Sequence, residues 1–402
     1  MGQGEILVAG AGPAGARLAS VLASAGCDVT LVDPLQDPHH NAYSSAALPL
    51  DDAIALGLPS SCYGATWQGW QLIDPDAIEH QWWSYRDLGV VLDFGQLRSH
   101  LWDRARQAGV ELLSGCRVQL DELHQNHAEL TLVKRNGRTE QRSVSCLIDA
   151  TGARRSLLRQ ARIPVDSPQD PLLCGQGVEC LIQADDRGSA HWRDRLSFFL
   201  GTRWVLHGYG WVFPMADNRL KVGVCCLPPP HPSQGQRGLG SGLKNLLRYC
   251  DLAEFPVLDR HGGSVSSTVQ RLEPMGWGAL LAIGDAASTA NLLGGEGIRH
   301  ALASADLLAA ALLNHSGDLL RGMDPARRDY ASDLKRSLGA NWTISGRLAR
   351  RTWWGLQTEQ ADKRLTRLIH GLSAHTDANE LVDLLFRYRF QRYGWRLLRY
   401  LF

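Results

Sequence analysis

The sequence predicts an α/β architecture: a discontinuous Rossmann-like domain, an antiparallel β-sheet domain set into it, and a C-terminal helical region. Two stretches carry that expectation. Near the start, the strand-like run Ile6-Leu7-Val8-Ala9 opens into Gly10-Ala11-Gly12-Pro13-Ala14-Gly15 and a helical stretch to about Ala25. A second strand, Asp28 to Val32, then ends at Asp33. Much later an apolar run, Leu280 to Ile283, leads into Gly284-Asp285-Ala286-Ala287-Ser288 and then Gly294-Gly295-Glu296-Gly297-Ile298. Helical periodicity follows from Ile298 to Leu313.

The first stretch has the parts of a dinucleotide site. Gly10 permits a tight turn, Gly12 lets the backbone approach a pyrophosphate, and Gly15 lets helix and strand pack closely. Pro13 and Ala14 begin a helix whose first N–H groups favour phosphate. Asp33 is placed to accept from a ribose 2′-hydroxyl, and its charge repels a 2′-phosphate. The pattern therefore suits FAD or NAD better than NADP. In the second stretch Asp285 can accept from a sugar hydroxyl, while the glycine-rich helix start suits an anionic group.

Between these stretches, residues 34–90 read as irregular, rich in Pro, Trp and turn residues. Gly89 to Phe94 precedes a helix expected from Gln96 to Ala108, and Val110 to Leu113 reads as the next strand. Residues 117–148 read as a β-meander with Asn136-Gly137 in a type I′ hairpin turn, ending in Asp149-Ala150-Thr151-Gly152. Then come aromatic and β-branched runs, Arg203 to Phe213 and Leu220 to Cys226, joined by a turn at Ala216-Asp217-Asn218. Pro228 to Gly242 reads as a mobile loop or lid. The expected boundaries are 1–165 plus 276–315 for the nucleotide domain, 166–275 for the sheet domain and 316–402 for the helical region.

Composition narrows the partners. Net charge is +1 over 402 residues, so no global field points to nucleic acid. No apolar run reaches the ~20 residues that span a bilayer, and the N-terminus enters the first strand without a basic signal region, which suggests a cytoplasmic protein. Nine cysteines in no CxxC pair read as reduced thiols, and no Cys/His spacing suggests a metal. Thirteen tryptophans outnumber both Phe and Tyr. The tail, residues 381–402, mixes arginines with aromatic residues. It suits peripheral contact with anionic lipid, or a terminal helix docked on the body. Oligomeric state is not legible.

Together the glycine loop, the middle Ala-Thr-Gly turn and the late Gly-Asp…Gly-Glu-Gly-Ile stretch resemble the FAD-binding scaffold of the p-hydroxybenzoate hydroxylase type. The likeness spans roughly residues 4–34, 88–160 and 262–312. Within that superfamily, Gly208-Tyr209-Gly210-Trp211-Val212-Phe213-Pro214 looks like the YxWxFP motif of the geranylgeranyl reductase family. Gly294 to Ile298, with Ala301 and Ser304, looks like its GEGI helix start.

The resemblance implies FAD, with NAD(P)H or ferredoxin as a transient electron donor. It implies two walls of one FAD site: Gly10, Gly12, Pro13, Ala14, Gly15 and Asp33 on one side, Gly284, Asp285, Gly294, Gly295, Gly297 and Ile298 on the other. Arg98, Val118 and Gly152 join the expected contacts, Arg98 replacing a basic residue the family often carries where this chain has Phe94. The implied substrate is a hydrophobic, isoprenoid molecule, reduced at a C=C bond. Tyr209, Trp211 and Phe213 alternate along a strand and so share one face, an apolar wall for such a chain. Three departures stand out: no cysteine between Pro34 and Leu50, Asp149-Ala150-Thr151-Gly152 where the hydroxylases have Asp-Gly, and no paired-glutamate motif like that of the lycopene cyclases. Cyclase-like, monooxygenase and flavin-carrier activities therefore stay open, and so does the proton donor, for which Tyr209, His207 and His300 are candidates.

Overall fold

The computed structural model describes residues 5–42, 44–230, 238–315 and 323–390. Its centre is a six-stranded sheet in the order Gly276–Trp277, Leu280–Ala282, Cys146–Asp149, Ile6–Ala9, Val29–Asp33, Glu111–Ser114. All its pairings are parallel except that of the first two strands. Ile6–Ala9 is buried along its whole length, as expected of a parallel strand covered on both faces. The helices Pro13–Ser24, Phe94–Gln107 and Ile298–Asn314 pack together beside it. The α/β class and the Rossmann-like half are as the sequence predicts.

A second sheet has seven strands in the order Val257–Ser267, Leu173–Gln183, Arg219–Cys226, Gly208–Pro214, Arg195–Leu200, Gly69–Ile73, Glu79–Trp83. All its pairs are antiparallel except Arg195–Leu200 with Gly69–Ile73. The stretch 34–90 is thus not irregular. It supplies a hairpin to this sheet, and Ala47–Pro49 and Tyr63–Trp67 flank Gly89–Leu92 in a third, antiparallel sheet. Three helices, Asp324–Gly355, Glu359–His375 and Ala378–Leu385, cover one side. The first breaks at Gly339, whose φ of 65° no helix accommodates.

Turn chemistry shifts two details. Asn136-Gly137 does not form a type I′ turn: Gly137 has positive φ and Asn136 does not, so a type I turn precedes a left-handed glycine. The type I′ geometry appears instead at Asp217-Asn218, both at positive φ, joining Gly208–Pro214 to Arg219–Cys226. The helix expected from Gln96 begins at Phe94 because the Asp93 side chain caps it, accepting from Gln96 N. Of the expected loop at 228–242, residues 231–237 lie outside the described residues, and Leu239–Tyr249 is a helix. All nine cysteines are free thiols, Cys174 being the exposed one. Among the described residues no helix is long and apolar enough to cross a membrane.

Candidate active site

The parallel strands bring the two predicted walls to one edge. Ala9 is level with Val32 and Asp149, so the loops after three strands leave side by side. Gly10 turns at φ +108°, and a Cβ there would lie 2.4 Å from the Ala150 carbonyl oxygen. A Cβ on Gly15 would meet the Gly10 carbonyl oxygen at 1.9 Å. These two positions let the loop lie against the Ala150-Thr151 turn. Over Gly12, in contrast, a Cβ would meet nothing within 4 Å, and no side chain caps the helix at Pro13. Its first-turn N–H groups, Ala14's included, are thus left for a phosphate.

Asp33 is buried and already half-committed: Oδ2 accepts from Ala11 N at 2.7 Å and Oδ1 from Leu35 N at 2.8 Å. Burial pushes its pKa up, while those two bonds and the nearby Arg98 oppose the rise. Each oxygen keeps a second lone pair for a ribose hydroxyl. Arg98 itself donates to the carbonyls of Pro38 and His40 at 2.6 and 2.7 Å, securing that turn beside Asp33. Val118 lies in the meander, paired with Leu132 and packed on the main core. Gly152 stands at φ +67° at the mouth of the Thr151 turn with open space beside it.

On the opposite wall the turn Gly284–Ala287 follows the sheet, and Gly284 N donates to Ser304 Oγ at 3.0 Å. Among the described residues nothing donates a hydrogen bond to the Asp285 carboxyl. Its enclosure pushes the pKa up to about 6, against the pull of Arg155. An enclosed carboxylate without a donor, an open cradle over Gly12 and an acid at Asp33 with spare lone pairs together fit FAD. Asp149, by contrast, is used up in the fold, accepting from Thr151, Leu157 and Leu158.

Two supports escape sequence inspection. Trp102 Nε1 donates to the Ala11 carbonyl at 2.8 Å and so fixes the glycine loop from behind. Arg155, fully buried, donates to Ser288 Oγ at 2.9 Å and lies 3.7 Å from Glu273. Ser288 and Thr268 both bond Glu273, which locks the turn after Asp285. No local signal marks either residue; their partners are distant in sequence.

The loop Gly294 to Ile298 borders a cavity of about 260 Å³, and Tyr209, Trp211 and Phe213 line the same space. Tyr209 Oη donates to the Gly294 carbonyl at 2.8 Å. Gly295, at φ +67°, has the Tyr209 oxygen 2.9 Å from where a Cβ would sit, so only glycine fits. Phe198, Leu292, Trp353 and Phe386 are among the other apolar residues that line it. Glu296 is clamped by Arg299 and by Tyr388, and Arg299 and His300 outweigh burial to bring its carboxyl down to about 2. His300 is pushed down by burial and bonds Glu296 and Tyr388, so it is a poor proton source. Burial, Cys225 and Glu296 raise Tyr209 well above the ordinary phenol, which removes it as an acid. His207 faces the Trp353 carbonyl at 3.0 Å. Of the C-terminal tail, Leu381 to Phe390 docks on the body with Phe386 and Tyr388 buried, and 391–402 lie outside the described residues.

Comparison with known proteins bears on the fold and the cofactor. A family described as FAD binding domain matches residues 3–47. The chain is 29% identical to a menaquinone reductase of Mycolicibacterium smegmatis over 78% of this chain and 77% of that one. It is 26% identical to a digeranylgeranylglycerophospholipid reductase of Haloferax volcanii, covering 78% of each. Among solved structures, a geranylgeranyl bacteriochlorophyll reductase-like protein from Thermoplasma acidophilum superposes with a TM-score of 0.79 over 99% of both chains, at 17% identity.

Proposed function

The chain is an FAD-dependent oxidoreductase with the fold of the geranylgeranyl reductase-like flavoproteins, and from that premise we propose that it reduces a carbon–carbon double bond of an isoprenoid chain. One observation carries this: the glycine loop expected beside the flavin ring and the aromatic strand share a single apolar cavity, joined by the Tyr209–Gly294 hydrogen bond. Relatives named as menaquinone and digeranylgeranylglycerophospholipid reductases support a substrate of this class.

FAD would be held by Gly12 and the start of the following helix at its pyrophosphate, by Asp33 at a ribose, and by Asp285 at the ribityl or pyrophosphate region. When bound, the reduced cofactor supplies hydride, and NAD(P)H or ferredoxin supplies the electrons. The protein's part is to position and to dry. Phe198, Tyr209, Trp211, Phe213 and Trp353 offer ring faces to an alkene and leave water few partners. Arg299 and Tyr388 bond the Glu296 carboxylate at the cavity wall, which fixes the glycine loop there. A substrate dissolved in membrane fits the basic, aromatic composition of residues 381–402. Flotation with anionic liposomes before and after removal of 391–402 tests that contact; unchanged flotation rejects it.

The deciding experiment is anaerobic reduction of the purified yellow protein, then addition of a prenyl lipid. Reoxidation coupled to a saturated product supports the proposal. Rapid oxygen consumption indicates a monooxygenase, an isomerised product without net oxidation indicates a cyclase, and failure of every donor to reduce the flavin indicates a carrier.

A further inference from the structure

The cavity wall also contains an array of charges that the aromatic lining does not require. Glu179 and His261 face each other across neighbouring strands, and Gly223 and then Trp211 continue the same row. Gly223 is what makes the row touch. A Cβ there would fall 2.1 Å from Trp211 Cζ2, so the indole lies across the glycine and reaches Glu179 beyond it. Trp211 Nε1 donates to Glu179 Oε2 at 2.8 Å, and Glu179 Oε1 is 3.2 Å from His261 Nε2. His261 Nδ1 is 2.9 Å from Asp259 Oδ2. The Glu179 and His261 side chains are 5% and 9% exposed, whereas Asp259 is 52% exposed.

Hydrogen-bond roles fix the protonation. The indole N–H can only donate, so Glu179 Oε2 accepts. Both imidazole nitrogens face carboxylate oxygens, which accept only, so both must carry hydrogen. The ring is an imidazolium held between two carboxylates at the edge of an apolar cavity. The titration tendencies agree: burial alone would lower His261, but Glu179 and Asp259 outweigh it and raise the ring above its ordinary value. Burial would raise Glu179, but His261, Lys221 and Trp211 hold it below the usual range. Lys221, the other charge near Glu179, gives its N–H groups to the carbonyls of Ser44, Ser45 and Leu92, which commits it to holding that loop.

We propose that Glu179 and His261 store and deliver the proton that completes reduction in this cavity, with Asp259 as a positioning residue. This rests on the double-bond reduction proposed above. The balance is simple: one alkene carbon gains hydride from the reduced cofactor, the π pair forms a C–H bond at the other carbon, and the proton for it leaves His261 Nε2 by way of Glu179. Asp259 keeps Nδ1–H in place, so Nε2 is the labile position, and the neutral ring regains a proton from water as product leaves. Among the other acidic groups on the cavity wall, Cys225 is pushed up to about 12 and Tyr209 is also raised, so neither competes.

The test has two readouts. In the oxidised, FAD-loaded protein with labelled histidine, NMR titration should place the His261 ring above the free imidazole value of about 6.5, with a downward shift in both Glu179→Gln and Asp259→Asn. In single turnover, photoreduced wild-type protein is mixed anaerobically with geranylgeraniol in detergent. Reoxidation should slow as pH rises through the ring's titration, and His261→Asn should be about 100-fold slower and lose that pH limb. Asp259→Asn, at an exposed site, keeps the fold and should move the limb to lower pH. Unchanged rate and pH profile in His261→Asn, or a ring titrating at or below the free value, overturns the proposal. A wild-type protein that geranylgeraniol does not reoxidise refutes the reductase activity itself, and the proton role falls with it.

Discussion

Asp285 shows how the surroundings of one side chain set its charge. Its carboxyl is enclosed without a donor, and its pKa stands at about 6 in place of 3.8. Folding therefore costs stability as pH rises from about 4 towards 6, where the unfolded chain has already released the proton. A sugar hydroxyl donating to the carboxylate would offset that cost. FAD should bind less tightly below about pH 6, and Asp285→Asn should bind weakly with no such pH dependence; equilibrium dialysis across pH 5–8 checks both. Glu273 makes the complementary case. Buried with Arg155 and bonded by Ser288 and Thr268, it is the carboxylate that neutralises a fully buried guanidinium. Glu273→Gln should cost about 3 kcal/mol of stability by leaving that charge uncompensated, measured by urea unfolding. Asp285 was legible in the sequence because it follows a buried strand and precedes glycines. Arg155 and Glu273 were not, because charged residues are exposed by default and their burial depends on each other.

Among elements, the glycine loops and the aromatic strand were legible because their patterns are local. The hairpin at residues 69–83 was missed for the opposite reason. Gly69–Ile73 is buried on both faces, so it lacks the alternation that marks a strand, and its partner Arg195–Leu200 is far along the chain. Buried Gln71 makes sense only in that register, where it accepts from Ser197 Oγ at 2.7 Å. The row from His261 to Trp211 was hidden likewise: a lone Glu in a strand reads as solvent-facing until its neighbours are known. Gly223 tests the row mechanically. Gly223→Val drives its side chain into the Trp211 indole and should cost about 2 kcal/mol through overpacking. It should also weaken lipid binding, read by quenching of tryptophan fluorescence, while FAD content stays at wild type.

Across the whole molecule the C-terminal segment and the Gly294–Ile298 loop are tied by charge. Glu296 stands at about 2, well below its ordinary 4.5, because Arg299 and His300 favour its ionised form. A depressed carboxyl stabilises the fold above its unfolded value and loses that contribution as pH falls from about 4.5 to about 2. Tyr388 shares the same carboxylate, and Phe386 lines the cavity beside it. Acidification through this range should therefore loosen residues 386–390, seen as faster amide exchange there, and Glu296→Gln should show that exchange already at neutral pH. Normal protection of 386–390 in Glu296→Gln would separate the segment from the loop.

The Tyr209–Gly294 hydrogen bond has a thermodynamic side. The hydroxyl belongs to the wall that a lipid would touch, and the carbonyl belongs to the loop expected beside the flavin. Occupancy of the one surface and electron load on the other are then linked quantities, and linkage is reciprocal. A lipid that binds tenfold more tightly to the reduced protein must raise the two-electron midpoint potential by about 30 mV. Geranylgeraniol should move the midpoint in a reductive titration, and Tyr209→Phe should shrink the shift. The cavity would then act as a thermodynamic gate, making the protein easier to reduce once its substrate is aboard.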